Sequence, residues 1–378
     1  DVSCSSTTPA VLYDGIGVNA GLLLFTDNQQ FLLTTDSDVL APNTVKLNSI
    51  STYNFNKGTS PISLGTTVGF LDNANKYSRF FEMSNILREG EPIIIEQSKI
   101  VSNLFSKDLK LISNSRENSV IFFSQENTNQ IYGLRYHQSG QERVLQSWFE
   151  WQTTGNIQYH CMIDDTLFVV VKNGSYYQLI KYSIKLDEDG KFINQDDNDY
   201  RIHLDLYQKI EASNISYNST TNKTTFSVPV NSYTGTGTLA LYDDGEGENS
   251  GLYATGIVGT ISNETTAVYE VTGSFAQSGS CVVGYLYDME VELPKIYVTQ
   301  TTGERRTADT RGSLVLHRAK VNFGPVGLVT TTLKRVGKAD YTKVLEQPIA
   351  DSYKANDAAL EPLVRQTIPI YEKNTNVV

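Results

Sequence analysis

The chain has 378 residues and a formal net charge of -11, 31 Lys and Arg against 42 Asp and Glu, so its overall field does not favour general attraction to nucleic acid or to an anionic membrane. Charged residues make up only 19%, and 22 Tyr and 15 Phe stand among abundant Ser, Thr, Asn and Gly, a composition that points to β-structure. Cys4, Cys161 and Cys281 are far apart, odd in number and without CxxC spacing, which argues against a disulfide framework or thiolate metal site and leaves buried thiols.

The opening "DVSCSSTTPAVLYDG" has neither a basic n-region nor an apolar h-region, and no apolar run nears the roughly 20 residues of a bilayer-spanning helix. A soluble chain without stable membrane insertion is expected. "GLLLFTDNQQFLLTT" (21–35) then reads as a hairpin, an apolar strand returning through a polar turn. The Pro-, Gly-, Ser- and Thr-rich stretch from Leu40 to Asn73 predicts several short strands. "SVIFFSQENTNQIYGLRYH" (119–137) and "TLFVVVKNGSYYQLIKYSI" (166–184) repeat the hairpin plan, with turn residues that tolerate positive φ or bond their own backbone.

Between these two hairpins lies "RVLQSWFEWQTTG" (143–155), which holds both tryptophans. In an extended strand Ser147, Phe149 and Trp151 point to one side, and Trp148, Glu150 and Gln152 to the other. A tryptophan on each face suits a strand sandwiched between layers, and Thr153-Thr154-Gly155 ends it. The succession of hairpin, outer strand and hairpin predicts propeller-like antiparallel blades, with an ordinary antiparallel meander as the alternative.

After Lys185 the sequence passes through an acidic stretch, and from Leu204 the strands become longer and Thr-rich. The boundary predicted there separates a propeller-like domain over 1–203 from an antiparallel β-sandwich over 204–378. "TGTLALYDDGEGENSGLYATG" (236–256) reads as strand, acidic glycine loop and return strand. "SCVVGYLYDMEVELPKIYVTQ" (280–300) alternates apolar and polar residues with a break at Pro294, and "GSLVLHRAKVNFGPVGLVTTTLKRVG" (312–337) follows as further strand. The nearest helix candidate is "NDAALEPLV" (356–364), limited by Pro362.

No GxSxG, HExxH, GxxxxGK[ST] or strand-linked GxGxxG occurs, so no enzyme class is signalled. Asp187, Asp189 and Gly190 resemble the start of a calcium loop, but the glycine comes early and Asn198 stands where a closing glutamate is needed. That stretch is favoured as a solvated turn; Asp243, Asp244, Glu246 and Glu248 could also hold a hard cation, though a surface loop of self-repelling charges needs no such role. His137, His160, His203 and His317 are scattered among strand residues and read as satisfied sheet histidines. Arg305 and Arg306 are placed in an exposed turn, and the N-x-[ST] triplets at Asn173, Asn214, Asn218, Asn222 and Asn263 follow from composition. Neither a metal, a cofactor nor a catalytic residue is expected. The rival class is a carbohydrate-active or carbohydrate-binding protein, in which Trp148 and Trp151 would stack on sugar rings and Glu150 would serve as the acid.

The run from Asn118 to Ile157 resembles a segment of the tail tubular protein B family, the nozzle proteins of short-tailed bacteriophages (podoviruses). An apolar hairpin with Tyr132 and Tyr136 precedes a charged turn and a "WxxWxTxG"-like strand carrying Trp148, Trp151, Thr153 and Gly155. "LLLFTDNQQFLL" upstream, and "GYLYDMEVELPKIYV" and "GSLVLHRAKVNF" downstream, are similar to other pieces of the family. The resemblance implies a structural virion-tail subunit, assembled in the bacterial host cytoplasm into a ring, expected to be a homohexamer, below the portal and adaptor (gatekeeper) protein. Genome DNA would pass through that ring on ejection without sequence-specific binding, and tail fibres would attach to it. Family members are longer, and a sequence opening within a strand pattern and stopping at "YEKNTNVV" without an obvious terminal element reads as a fragment.

Overall fold

Apolar runs separated by Asn-, Asp- and Gly-containing turns fold, in this computed structural model, into antiparallel β-sheet. The structure describes residues 9–37, 41, 44–72, 76–88, 90–139, 142–185, 192–195, 198–233, 235, 237–243, 252–263, 265–275, 280–292, 295–302, 305–323, 328–346 and 364–376. The chain divides into two compact units, Asp1–Glu188 with Thr234–Thr236, and Asp189–Tyr233 with Gly237–Val378.

In the first unit four sheets follow one another along the chain. The first joins β1 (Leu12–Val18), β2 (Gly21–Thr26), β3 (Gln30–Thr35) and β4 (Val45–Ser51), and the second joins β5 (Ile62–Ser63), β6 (Val68–Asp72), β7 (Arg79–Ser84) and β8 (Ile93–Glu96). The third joins β9 (Leu111–Ser115), β10 (Val120–Ser124), β11 (Gln130–Ser139) and β12 (Glu142–Gln152), and the fourth has three strands, β13 (Asn156–Ile163), β14 (Thr166–Asn173) and β15 (Tyr176–Ser183). Each is an up-and-down meander, because short turns return the chain to a neighbouring strand. The three expected hairpins are β2–β3, β10–β11 and β14–β15.

Each sheet packs a face on the next. Leu23 and Phe25 of the first sheet meet Val68, Phe70, Phe81 and Met83 of the second. Leu71 and Phe80, on the second sheet's other face, join Ile121, Phe123, Tyr132 and Leu134 of the third. The Phe25–Phe70 and Phe80–Phe123 ring centroids are 5.3 and 4.9 Å apart. Because the middle sheets are covered on both sides, β6 and β10 are buried at every position. Their sequences, VGFLD and VIFFS, accordingly lack a polar face.

The second unit opens with a small hairpin, β16 (Phe192–Gln195) and β17 (Asn198–Arg201). Eight strands follow: β18 (Asp205–Ile210), β19 (Ile215–Asn218), β20 (Lys223–Pro229), β21 (Leu239–Asp243), β22 (Tyr253–Thr255), β23 (Val258–Ile261), β24 (Thr266–Thr272) and β25 (Cys281–Tyr285). They form two sheets, β18-β25-β21-β22 and β19-β20-β24-β23, on one shared core that includes Phe226, Tyr269, Leu241, Val283 and Tyr285. The Tyr233 hydroxyl lies 2.9 Å from the Val283 carbonyl and 3.1 Å from that of Leu206, its single proton shared between them. Leu206 sits in the left-handed region at φ 51, in the irregular register between Asp205 and Gln208.

Beyond the paired sheets come β26 (Val298–Thr302) with β27 (Arg305–Asp309), β28 (Val315–Phe323) with the distant β31 (Val364–Lys373), and β29 (Leu328–Leu333) with β30 (Tyr341–Glu346). One expectation is corrected here. The stretch after Cys281 does not alternate: β25 is buried at every position, since Val282 on its second face packs with Leu204 and Ala240, and residues 286–292 form no strand. Strand β31 runs through Lys373. Val364, the last residue of the helix candidate, opens that strand, and 356–363 lie outside the described residues.

Candidate functional site

The tryptophan strand β12 pairs along β11, and its side chains leave it on opposite faces. Trp148 joins the core between the second and third sheets, 5.3 Å from the Phe105 ring and 5.9 Å from Phe123. Trp151 faces the fourth sheet, stacked on Tyr182 at 5.5 Å and flanked by Phe122 and Phe149. Phe149 lies across Gly133 of β11, where an added Cβ would come within 2.0 Å of its ring. Both indoles are thus spent on packing between layers.

Glu150 is exposed and accepts a 2.8 Å hydrogen bond from Gln130 Nε2, whose amide oxygen accepts one from the Tyr132 hydroxyl at 3.1 Å. Burial, then the Glu150 charge, raises the Tyr132 pKa. A more deeply placed carboxylate escaped the sequence reading. Glu82 of β7 is buried and meets Arg143 of β12, with Nη1 at 2.8 Å from Oε2 and Nη2 donating to Oε1 at 3.1 Å. Thr67 and Gln97 donate to the same carboxylate at 2.7 and 2.9 Å, and the Arg143 guanidinium lies 4.5 Å from the centre of the Tyr136 ring. This group ties two sheets together. Its only sequence signal was a charge within an apolar strand.

His160 is the buried histidine, its Nδ1 2.8 Å from the Ser113 hydroxyl and its Nε2 without a hydrogen-bond partner among the described residues. Burial lowers its pKa to about 4, so the ring is neutral near pH 7. The expectation of a fully satisfied sheet histidine is met at one nitrogen only. His137 and His203 are exposed, the latter outside any strand, and His317 of β28 is exposed with its ring 5.7 Å from Tyr371.

Arg305 and Arg306 open strand β27 and pair with Thr302 and Thr301, a correction to their expected place in the turn itself. Asp187, Asp189 and Gly190 lie outside the described residues, as do Asp244, Glu246 and Glu248, while Asn198 begins β17. Asp243 is buried at the end of β21. Among the described residues no three His, Cys, Asp or Glu side chains converge as a metal site. Cys281 is a buried free thiol and Cys161 a half-buried one; Cys4 is outside the described residues.

A tail tubular protein of Escherichia phage T7, gp12, is 23% identical over 337 residues, which is 85% of this chain and 40% of that protein. The chain therefore spans less than half the length of this curated relative. Among solved structures, a luciferin-regenerating enzyme superposes with a TM-score of 0.30 at 11% identity, over 73% of this chain and 81% of its own, a likeness too distant to inform fold or chemistry. The family description of the bacteriophage nozzle proteins matches residues 1–378, and the chain belongs to that family.

Proposed function

We propose that the chain is a structural part of a short-tailed phage's tail nozzle. Identical subunits, six in this reading, form a ring in the virion tail beneath the adaptor protein, bear the tail fibres and let genome DNA through on ejection. Assembly takes place in the bacterial host cytoplasm. The observation that carries this reading is the family match from residue 1 to residue 378, supported by the T7 tail tubular protein as a relative. The architecture agrees with it: the aromatic side chains of β12 stiffen a stack of sheets. The net charge of -11 suits a wall past which DNA slides, since a lysine-lined wall would exchange counterions for tight phosphate contacts.

In the same reading the four meanders are consecutive blades of a propeller-like domain. Two apolar faces support this. Leu22, Leu24, Leu33 and Leu47 share the first sheet's outer face, and Tyr159, Ile163, Phe168, Val170 and Leu179 share the fourth's. Tyr159, Ile163 and Leu179 are 56%, 55% and 66% exposed, so the fourth sheet ends the stack with the kind of face that the sheets before it bury.

Electron microscopy of tails containing this chain tests the proposal: it should appear in a ring around the axial channel. Absence from the tail overturns the reading, as does glycan turnover abolished by Glu150→Gln with the fold intact. DNA binding is a separate readout. Duplex should bind the ring at about 10⁻⁴ M or more weakly at physiological salt, and submicromolar affinity with a steep salt slope would remove the passive wall.

A further inference from the structure

In the second unit a cleft of about 250 Å³ forms where three distant stretches meet. Lys295 comes from the segment before β26, Lys334, Arg335 and Asp340 from the connection between β29 and β30, and Thr375 and Asn376 from the 3₁₀ turn after β31. Hydrogen bonds hold the frame. Asn374 is buried, donates from its side chain to the Ile296 carbonyl at 2.9 Å, and so fixes the backbone beside Lys295. The Val336 amide donates to the Asn376 carbonyl at 3.0 Å, and Gly337, at φ 73, takes the left-handed turn of this connection.

The charge of this lining runs against that of the chain, with three cations facing one carboxylate. Lys334 has its nearest carboxylate, Glu290, at 3.9 Å, and both side chains are more than half exposed, so that pairing leaves the ammonium nearly uncompensated. Lys295, Arg335 and Asp340 make no ion pair among the described residues. Arg335 is held by a 2.8 Å hydrogen bond from Nη2 to the Ala339 carbonyl, and its Nε–H is buried without an acceptor among the described residues. The bond to Ala339 fixes the guanidinium in the cleft lining, where the fork suits the oxygens of an anion.

We propose that this cleft binds a single phosphate group, with Arg335 donating to its oxygens and Lys295 and Lys334 supplying point charges. Asp340 sets the charge that is tolerated, since its carboxylate repels a dianion and favours the singly charged form. Both a phosphodiester of the DNA backbone and free monobasic phosphate have that chemistry. The inference does not rest on the ring: a chain that never enters a tail would still show it.

The test titrates the full chain with inorganic phosphate by calorimetry and, separately, with a short blunt duplex without terminal phosphates by fluorescence anisotropy. Inorganic phosphate should saturate in the millimolar range, weaken about tenfold in Arg335→Gln and in Lys295→Gln, and tighten in Asp340→Asn. Lys295 is exposed, so its variant keeps the fold if the arginine variant does not, and thermal midpoints without phosphate verify this. Duplex binding weakened by the same substitutions identifies the DNA backbone as the source; duplex indifferent to them, with phosphate still saturating, identifies free phosphate. Titration that fails to saturate at tens of millimolar, or that is identical in the native chain and Lys295→Gln, overturns the site.

Discussion

In the first unit β6 and β10 are buried at all positions, whereas in the second β20 and β24 alternate buried and partly exposed residues along KTTFSVP and TAVYEVT. The strands are similar in length and β-propensity; what separates them is the number of layers on their sheet. A sheet inside a stack has two apolar faces, and one side of a two-sheet sandwich has one. The exception confirms the cause: β25, in the second unit, is buried throughout because Leu204 covers Val282 from outside the shared core. Burial on both faces also changes what a polar group does. Glu82 and Arg143 meet between sheets of the first unit, while Lys223 and Glu270 meet on the solvent side of the second.

The largest effect should come from emptying the middle of the stack. Phe123 is fully buried against Phe80, Phe105 and Trp148. Phe123→Ala should cost about 4 kcal/mol through lost transfer energy and the cavity left behind. Denaturant unfolding read from the tryptophans, both of which lie in the first unit, reports this directly. A loss below about 1 kcal/mol would mean that the interface repacks and the sheets are not tightly stacked.

Next is the buried ion pair. Glu82→Ala leaves the Arg143 guanidinium, only 16% exposed, without its carboxylate, and should destabilise the first unit by about 3 kcal/mol. Removing both partners in Glu82→Leu with Arg143→Met should recover most of that loss, because the penalty belongs to the stranded charge. A double variant no better than the single one would show that the pair's hydrogen bonds to Thr67 and Gln97 matter more.

His160 gives the stack a dependence on acid. Its folded pKa of about 4 lies below the ordinary 6.5, so the unfolded chain binds the proton first. The contribution is therefore complete above pH 6.5 and is lost as pH falls toward 4, by up to about 3 kcal/mol. Urea midpoints across that window should decline in the native chain and decline less in His160→Leu, which removes this titration while leaving the carboxylates. Parallel curves would place the acid sensitivity elsewhere.

Much of the first unit was legible in the sequence because its contacts are local. Hairpins such as β2–β3 and β14–β15 are written in one short stretch each, and two tryptophans three residues apart imply two covered faces. Pairings between distant segments were not legible. Nothing in "VLHRAKVNF" indicates that β28 pairs with β31 rather than with the next strand, and nothing near Asp205 indicates that β18 lies beside β25. The candidate sites failed for a related reason. Charge-rich loops such as 187–190 attract notice in a sequence, but Arg335, Lys295 and Asn376 are brought together only by the fold.

The smallest predicted effect sharpens the comparison most. Lys223 and Glu270 lie on neighbouring strands with side chains 43% and 49% exposed, so water screens the pair and both long side chains lose rotamer freedom on meeting. A double-mutant cycle with Lys223→Ala and Glu270→Ala should return a coupling of about 0.5 kcal/mol or less, falling further at high salt. The corresponding cycle on Glu82 and Arg143 should give several times that coupling and little salt dependence, because the layers exclude the counterions. Equal couplings would mean that burial between sheets is not what distinguishes the pairs. The contrast between stack and sandwich would then reduce to packing alone.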